Sequence, residues 1–153
     1  IGLSLIVFSC VMVLAEIAGS KNKDGQKVSG KKAFLIGLAQ ALALIPGISR
    51  SGSTISAGLF LGLTRQESAR FAFMLSGPII AGAGSYKLLA AITSQKLTGA
   101  DINFFIVGIV SSFIFGYLTI KYFLKYLGAK NLYPFIVYRI VIGILLITYS
   151  FFV

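Results

Sequence analysis

The chain has 153 residues, of which 57% are hydrophobic and only 12% charged, and its mean hydropathy is +0.92. A soluble domain carries about a quarter charged residues, so a water-soluble globule is excluded and most of this surface faces a bilayer. Fourteen Lys and Arg against four Asp and Glu give a net charge of +10. Loops obeying the positive-inside rule account for most of the lysines, and no nucleic-acid partner is expected. There is one cysteine, Cys10, which excludes an intrachain disulfide, and there is no histidine. With so few carboxylates, no metal site is expected within the chain.

Residues 1–18 are apolar except for Glu16 and predict a transmembrane helix. The chain opens on Ile1, already in apolar sequence, which is expected of a cut through an existing span. Residues 19–32 form a polar loop with five Lys and one Asp. Residues 33–64 then carry a single charge, Arg50, and are interrupted by Pro46 and Gly47. The arms on either side, 33–45 and about 54–63, would each reach roughly 15–20 Å as helix. A hydrocarbon core of about 30 Å needs about 20 residues, so neither arm spans alone. A re-entrant hairpin over 33–63 with its broken tip at membrane depth is predicted. Such backbone is tolerated only where protein or a wet cavity surrounds it.

Thr64-Arg65-Gln66-Glu67 reads as a capping box that opens a span of about 65–92, kinked at Pro78. A polar loop over 93–101 precedes a span of about 102–127. A last span of about 133–153 starts with Pro134 in its first turn. With the hairpin re-entrant, the two Lys-rich segments, 19–32 and 121–130, fall on one side of the membrane, as the charge rule requires. The expected fold is a single all-α, multi-pass transmembrane bundle.

The hairpin tip, PGISRSGST at 46–54, has the composition of an oxyanion site. Gly47 and Gly52 let backbone N–H groups converge, and Ser51 or Ser53 could cap the following arm, whose positive end faces the loop. Ser49, Ser51, Ser53 and Thr54 add hydroxyl donors. Arg50 adds a planar fork that matches phosphate bidentately. An arginine at membrane depth is by default functional, although pairing with carbonyls or snorkelling is the bland alternative. Gln40 lies about a turn or more below the tip and faces the same cavity if its arm is regular. Arg70, past the capping box, could join the site, but snorkelling or carbonyl pairing is the better reading. Arg65 reads as interfacial, Arg139 as snorkelling, and Gly58 with Gly62 as a close-packing GxxxG pair.

Residues 37–84 carry a family resemblance, and within them Pro46, Gly47, Ser49, Arg50, Ser51 and Thr54 match the PGxSRSxxT motif. The chain resembles the C-terminal half of the undecaprenyl-diphosphate phosphatase family of BacA/UppP type. That resemblance implies one half of an inverted-repeat membrane fold in the bacterial plasma membrane. It implies hydrolysis of a polyprenyl diphosphate to the monophosphate carrier used in peptidoglycan synthesis, and bacitracin resistance. It implies Arg50 as the catalytic residue that binds the diphosphate, with Ser49 and Thr54 on phosphate oxygens; Gly47, Ser51, Gly52 and Ser53 complete the expected cradle on the composition of the tip. A divalent cation, Mg or Ca, is implied too, with ligands outside this chain. The family's (E/Q)xxxE and PxSSxGH-type motifs are absent; Glu16 has Met12 four residues earlier. The chain is therefore expected to be catalytically incomplete, needing its missing N-terminal half or a homo-oligomer partner. A transporter or flippase of a phosphorylated lipid, and a non-catalytic anion-binding subunit, are the alternatives.

Overall fold

The computed structural model describes residues 1–19, 28–93 and 99–152, and the described residues are helical with no strand. Most of the first Lys-rich loop and half of the 93–101 loop lie outside them, including Asp24. Six α-helices follow in order: α1 (Gly2–Gly19), α2 (Gly30–Gln40), α3 (Arg50–Phe60), α4 (Arg65–Thr93), α5 (Gly99–Ala129) and α6 (Tyr133–Phe152). A short 3-10 turn, Ala41–Leu44, extends α2. Four helices are long and apolar enough to cross a bilayer, namely α1, α4, α5 over Asn103–Ala129, and α6. α2 and α3, of 11 residues each, are too short for that.

The expected hairpin is present: α2 and α3 pack against each other across a break at 45–49. α3 begins at Arg50, four residues earlier than the sequence suggested, because Ser49 rather than Ser51 or Ser53 caps it. Ser49 takes extended backbone, and its hydroxyl accepts from the Gly52 N–H at 3.1 Å. α3 ends in a Schellman turn, in which the Leu63 N–H donates to the Gly58 carbonyl and the Gly62 N–H to the Leu59 carbonyl. Gly62 is the left-handed residue of that turn, with φ of 85°. The glycine pair thus divides: Gly62 ends the helix, and Gly58 alone lets α3 lie close on α4, where a Cβ would sit 2.8 Å from Ser68 Cβ.

The capping box forms as read. The Thr64 N–H donates to Glu67 Oε2 at 3.0 Å, and the Glu67 N–H donates back to Thr64 Oγ1 at 3.3 Å. α4 then continues through Pro78 to Thr93.

The core is gathered at one end of the bundle. Phe8, Met12 and Ala15 of α1 meet Ile55 and Leu59 of α3, Ala69 and Ala72 of α4, and Leu127, Leu132 and Ile136 around the α5–α6 turn. The buried side of α1, Phe8, Ser9, Met12, Ala15, Glu16 and Gly19, follows the helical period that puts one face on α3. Away from this core, residues 77–90 and 103–110 are all exposed, as expected of helix faces meeting lipid or further protein.

Arg65 is not merely interfacial. Its Nε and Nη2 both lie 2.6 Å from Oε1 of Glu16, a residue only 1% exposed. The pair ties α1 to the start of α4. Replacing Arg65 with alanine leaves a buried carboxylate without its cation, which destabilises by about 3 kcal/mol, the low end for a buried pair because Arg65 itself keeps some solvent contact. Thermal unfolding of the full reading frame in detergent should show a clear drop in midpoint, partly recovered by Glu16→Gln in the same chain. An unchanged midpoint would mean that the pair contributes nothing.

Candidate functional site

The tip is built by three local events. Pro46 cannot continue the 3-10 turn, Gly47 reverses the chain at φ of 96°, and Ser49 restarts a helix. The freed tip carbonyls are taken up by two different helices. Ser4 Oγ on α1 lies 2.6 Å from the Pro46 carbonyl oxygen, and also 2.8 Å from that of Ile1. Arg139 Nη2 on α6 donates to the Gly47 carbonyl oxygen at 2.8 Å. Irregular backbone between apolar arms is thereby satisfied by protein.

Arg50 is the first residue of α3, at its positive end, and its side chain is exposed. Among the described residues its guanidinium makes no hydrogen bond or ion pair, so the carbonyl-pairing alternative does not hold. It lines a concavity of about 420 Å³ together with Gly37, Gln40, Ala41, Ala43, Leu44 and Ile79. Gln40 thus reaches the same cavity as Arg50, even though its arm tightens into a 3-10 turn just after it. Among the described residues, the buried Gln40 Oε1 has no partner there. An amide carries donors and an acceptor, so this side chain can meet either a hydroxyl or an oxyanion.

The hydroxyls divide. Ser49 Oγ and Ser51 Oγ stand 3.2 Å apart and, with Gly52, line a second cavity of about 400 Å³ on the α6 side. Ser53 and Thr54 are buried and turned back into α3: Ser53 Oγ donates to the Arg50 carbonyl at 2.9 Å, and Thr54 Oγ1 lies 3.0 Å from the carbonyls of Arg50 and Ser51. They stiffen the first turn and line neither cavity. Arg70 is exposed on α4 and also lines neither.

Arg139, expected to snorkel, instead reaches the tip. It crosses 92 positions of sequence to hold Gly47. Its guanidinium sits 5.6 Å over the Phe8 ring, and its buried Nε has no partner among the described residues. The signal was available, because Arg139 stands in an otherwise uncharged helix, the same circumstance that singled out Arg50.

Among the described residues no three potential metal ligands cluster, and Glu16 and Glu67 are committed to Arg65 and Thr64.

Comparison with known proteins places the chain in a family. The family model for bacitracin resistance protein BacA matches residues 1–145. A protein of Geotalea daltonii named undecaprenyl-diphosphatase is 44% identical over 149 residues, covering 97% of this chain and 55% of its own length. Proteins of the same name from Corynebacterium glutamicum (strain R) and Geobacter sulfurreducens are 44% and 42% identical, covering 92% and 99% of this chain. The chain spans about half the length of these curated relatives, 48% and 56% of the last two. The family match spans α1 to α5 and the first part of α6, a stretch that contains the Pro46–Thr54 tip. With four helices fit to cross a bilayer, this is a membrane protein, and it belongs to the bacitracin resistance protein BacA family.

Proposed function

We propose that this chain supplies the arginine-bearing half of an enzyme that hydrolyses undecaprenyl diphosphate to undecaprenyl phosphate and inorganic phosphate. The observation that carries the reading is Arg50, a guanidinium with no counter-ion among the described residues, on the first residue of a helix at a broken hairpin tip. Its fork offers two parallel N–H donors to a phosphate edge, and the free N–H groups of the first turn add partial positive charge. In phosphoryl transfer the protein's work is mostly positioning and charge stabilisation, and a fixed cation serves both. Water supplies the oxygen that joins the distal phosphorus, and the bridging oxygen leaves with the lipid phosphate.

The α2–α3 hairpin is re-entrant in the bacterial plasma membrane, with its tip at the depth of the headgroup-binding cavity. Arms of 11 residues support this, since each rises only about 16 Å. Gly47 and Gly52 shape the tip, Ser49 and Ser51 supply hydroxyls, and Gln40 supports Arg50 from below. Carboxylates outside this chain hold the divalent cation that the resemblance implies.

The test is to purify the full reading frame that carries these residues and to measure phosphate release from undecaprenyl diphosphate in detergent. Release that depends on Arg50 supports the reading. A protein that binds the lipid and liberates no phosphate with any divalent cation overturns it.

A further inference from the structure

The tip has two faces, and Arg50 uses only one of them. On the other face lies the 400 Å³ cavity, walled by Met12 and Ile55, Phe73, Phe123, Leu132, Phe135 and the Tyr138 ring. Three of its rings form a chain of edge-to-face contacts, Phe73 to Phe123 at 5.8 Å and Phe123 to Phe135 at 5.2 Å. Apart from Thr119, its polar side chains gather at the tip: Ser49, Ser51 and Arg139. A volume of this size is that of a small-molecule site.

Charge selects the occupant. Among the described residues Arg139 has no carboxylate partner; its contacts are one carbonyl oxygen and one aromatic face. A cation held at this depth calls for a negative group, and the adjoining apolar walls call for hydrocarbon. A ligand with an anionic head and a branched or unsaturated tail meets both demands. We propose that this cavity receives the first isoprenoid units of the polyprenyl diphosphate, with the lipid-linked end of its headgroup at Ser49, Ser51 and Arg139. The inference rests on the phosphatase reading for the identity of the lipid, and its test separates the two.

The test uses the full reading frame in detergent and the Thr119→Phe variant, which places a ring at the cavity wall from an exposed position. Farnesyl diphosphate and methyl diphosphate serve as tailed and tail-less substrates. Thr119→Phe should raise KM for the farnesyl compound about tenfold, a size expected for crowding an apolar pocket, while leaving kcat and the turnover of methyl diphosphate unchanged. A farnesyl diphosphate carrying a diazirine on its first isoprene should label peptides containing Phe123 or Phe135, and the label should fall in the variant. Labelling confined to other peptides, with KM unchanged, overturns the proposal. So does an equal loss on both substrates with a lowered unfolding midpoint, because the cavity is then filled by protein from the rest of the chain. Labelling in the cavity by a wild-type protein that releases no phosphate keeps the lipid site and removes the phosphatase reading instead.

Discussion

Arg50→Ala is expected to lower phosphate release by about 10²–10³-fold, the loss typical of removing one preorganised donor from a transition state. The reason is geometric. Nothing among the described residues neutralises this guanidinium, and it stands where the positive end of α3 and a concave wall converge. Truncation removes the fork but leaves the helix start intact, because the cap belongs to Ser49. Unfolding midpoint and helix content should therefore hold while activity falls. Arg50→Lys should also be impaired, since a point charge cannot reproduce a bidentate edge. Steady-state phosphate release from purified variants checks both. Turnover of Arg50→Ala within a few-fold of the parent would sink the assignment.

Gly47→Ala should disable the tip without touching any charged group. The backbone there has φ of 96°, which costs an L-residue about 1–2 kcal/mol. A Cβ would also lie 2.8 Å from the Ile1 carbonyl oxygen and run into Ser4 Oγ. Overpacking of that kind adds about 1–3 kcal/mol. The chain relieves both by rotating the tip, which releases the carbonyls held by Ser4 and Arg139. Activity should fall, and amide exchange at Ile48–Ser51 should quicken. Gly82→Ala on α4, where a Cβ meets nothing within 4 Å, is the matched control and should behave as the parent. Parental exchange rates in Gly47→Ala would show that the strain is absent.

Much of this was legible in the residues because it depends on neighbours in sequence. Pro46 and Gly47 announced the break, Thr64 and Glu67 the helix start, and apolar run lengths the spans and the short hairpin arms. Three matters were decided elsewhere. Ser51 or Ser53 was the expected cap, yet by composition Ser49 does not differ from them, and only its extended backbone makes it the cap. Ser53 and Thr54 read as free donors, yet inside a helix such hydroxyls find the carbonyl three or four residues back, as they do at Arg50 and Ser51. The Glu16–Arg65 and Arg139–Gly47 contacts join positions 49 and 92 apart, and no local pattern reports them.

One crossing has reach beyond its own location. α1 and α6 touch through Gly2 and Gly143, where a Cβ on Gly143 would come within 3.0 Å of the Gly2 carbonyl oxygen. Ser4 is two residues along α1 from this contact, and Arg139 is one turn along α6, about 6 Å of rise. The two clamps on the tip are thus mounted on a hinge with no slack. A single methyl at position 143 would act as a shim, spreading the clamps and detuning turnover without lying in either cavity. Inactivating substitutions selected at random should therefore recur at this glycine seam, and compensating ones should appear on the facing helix.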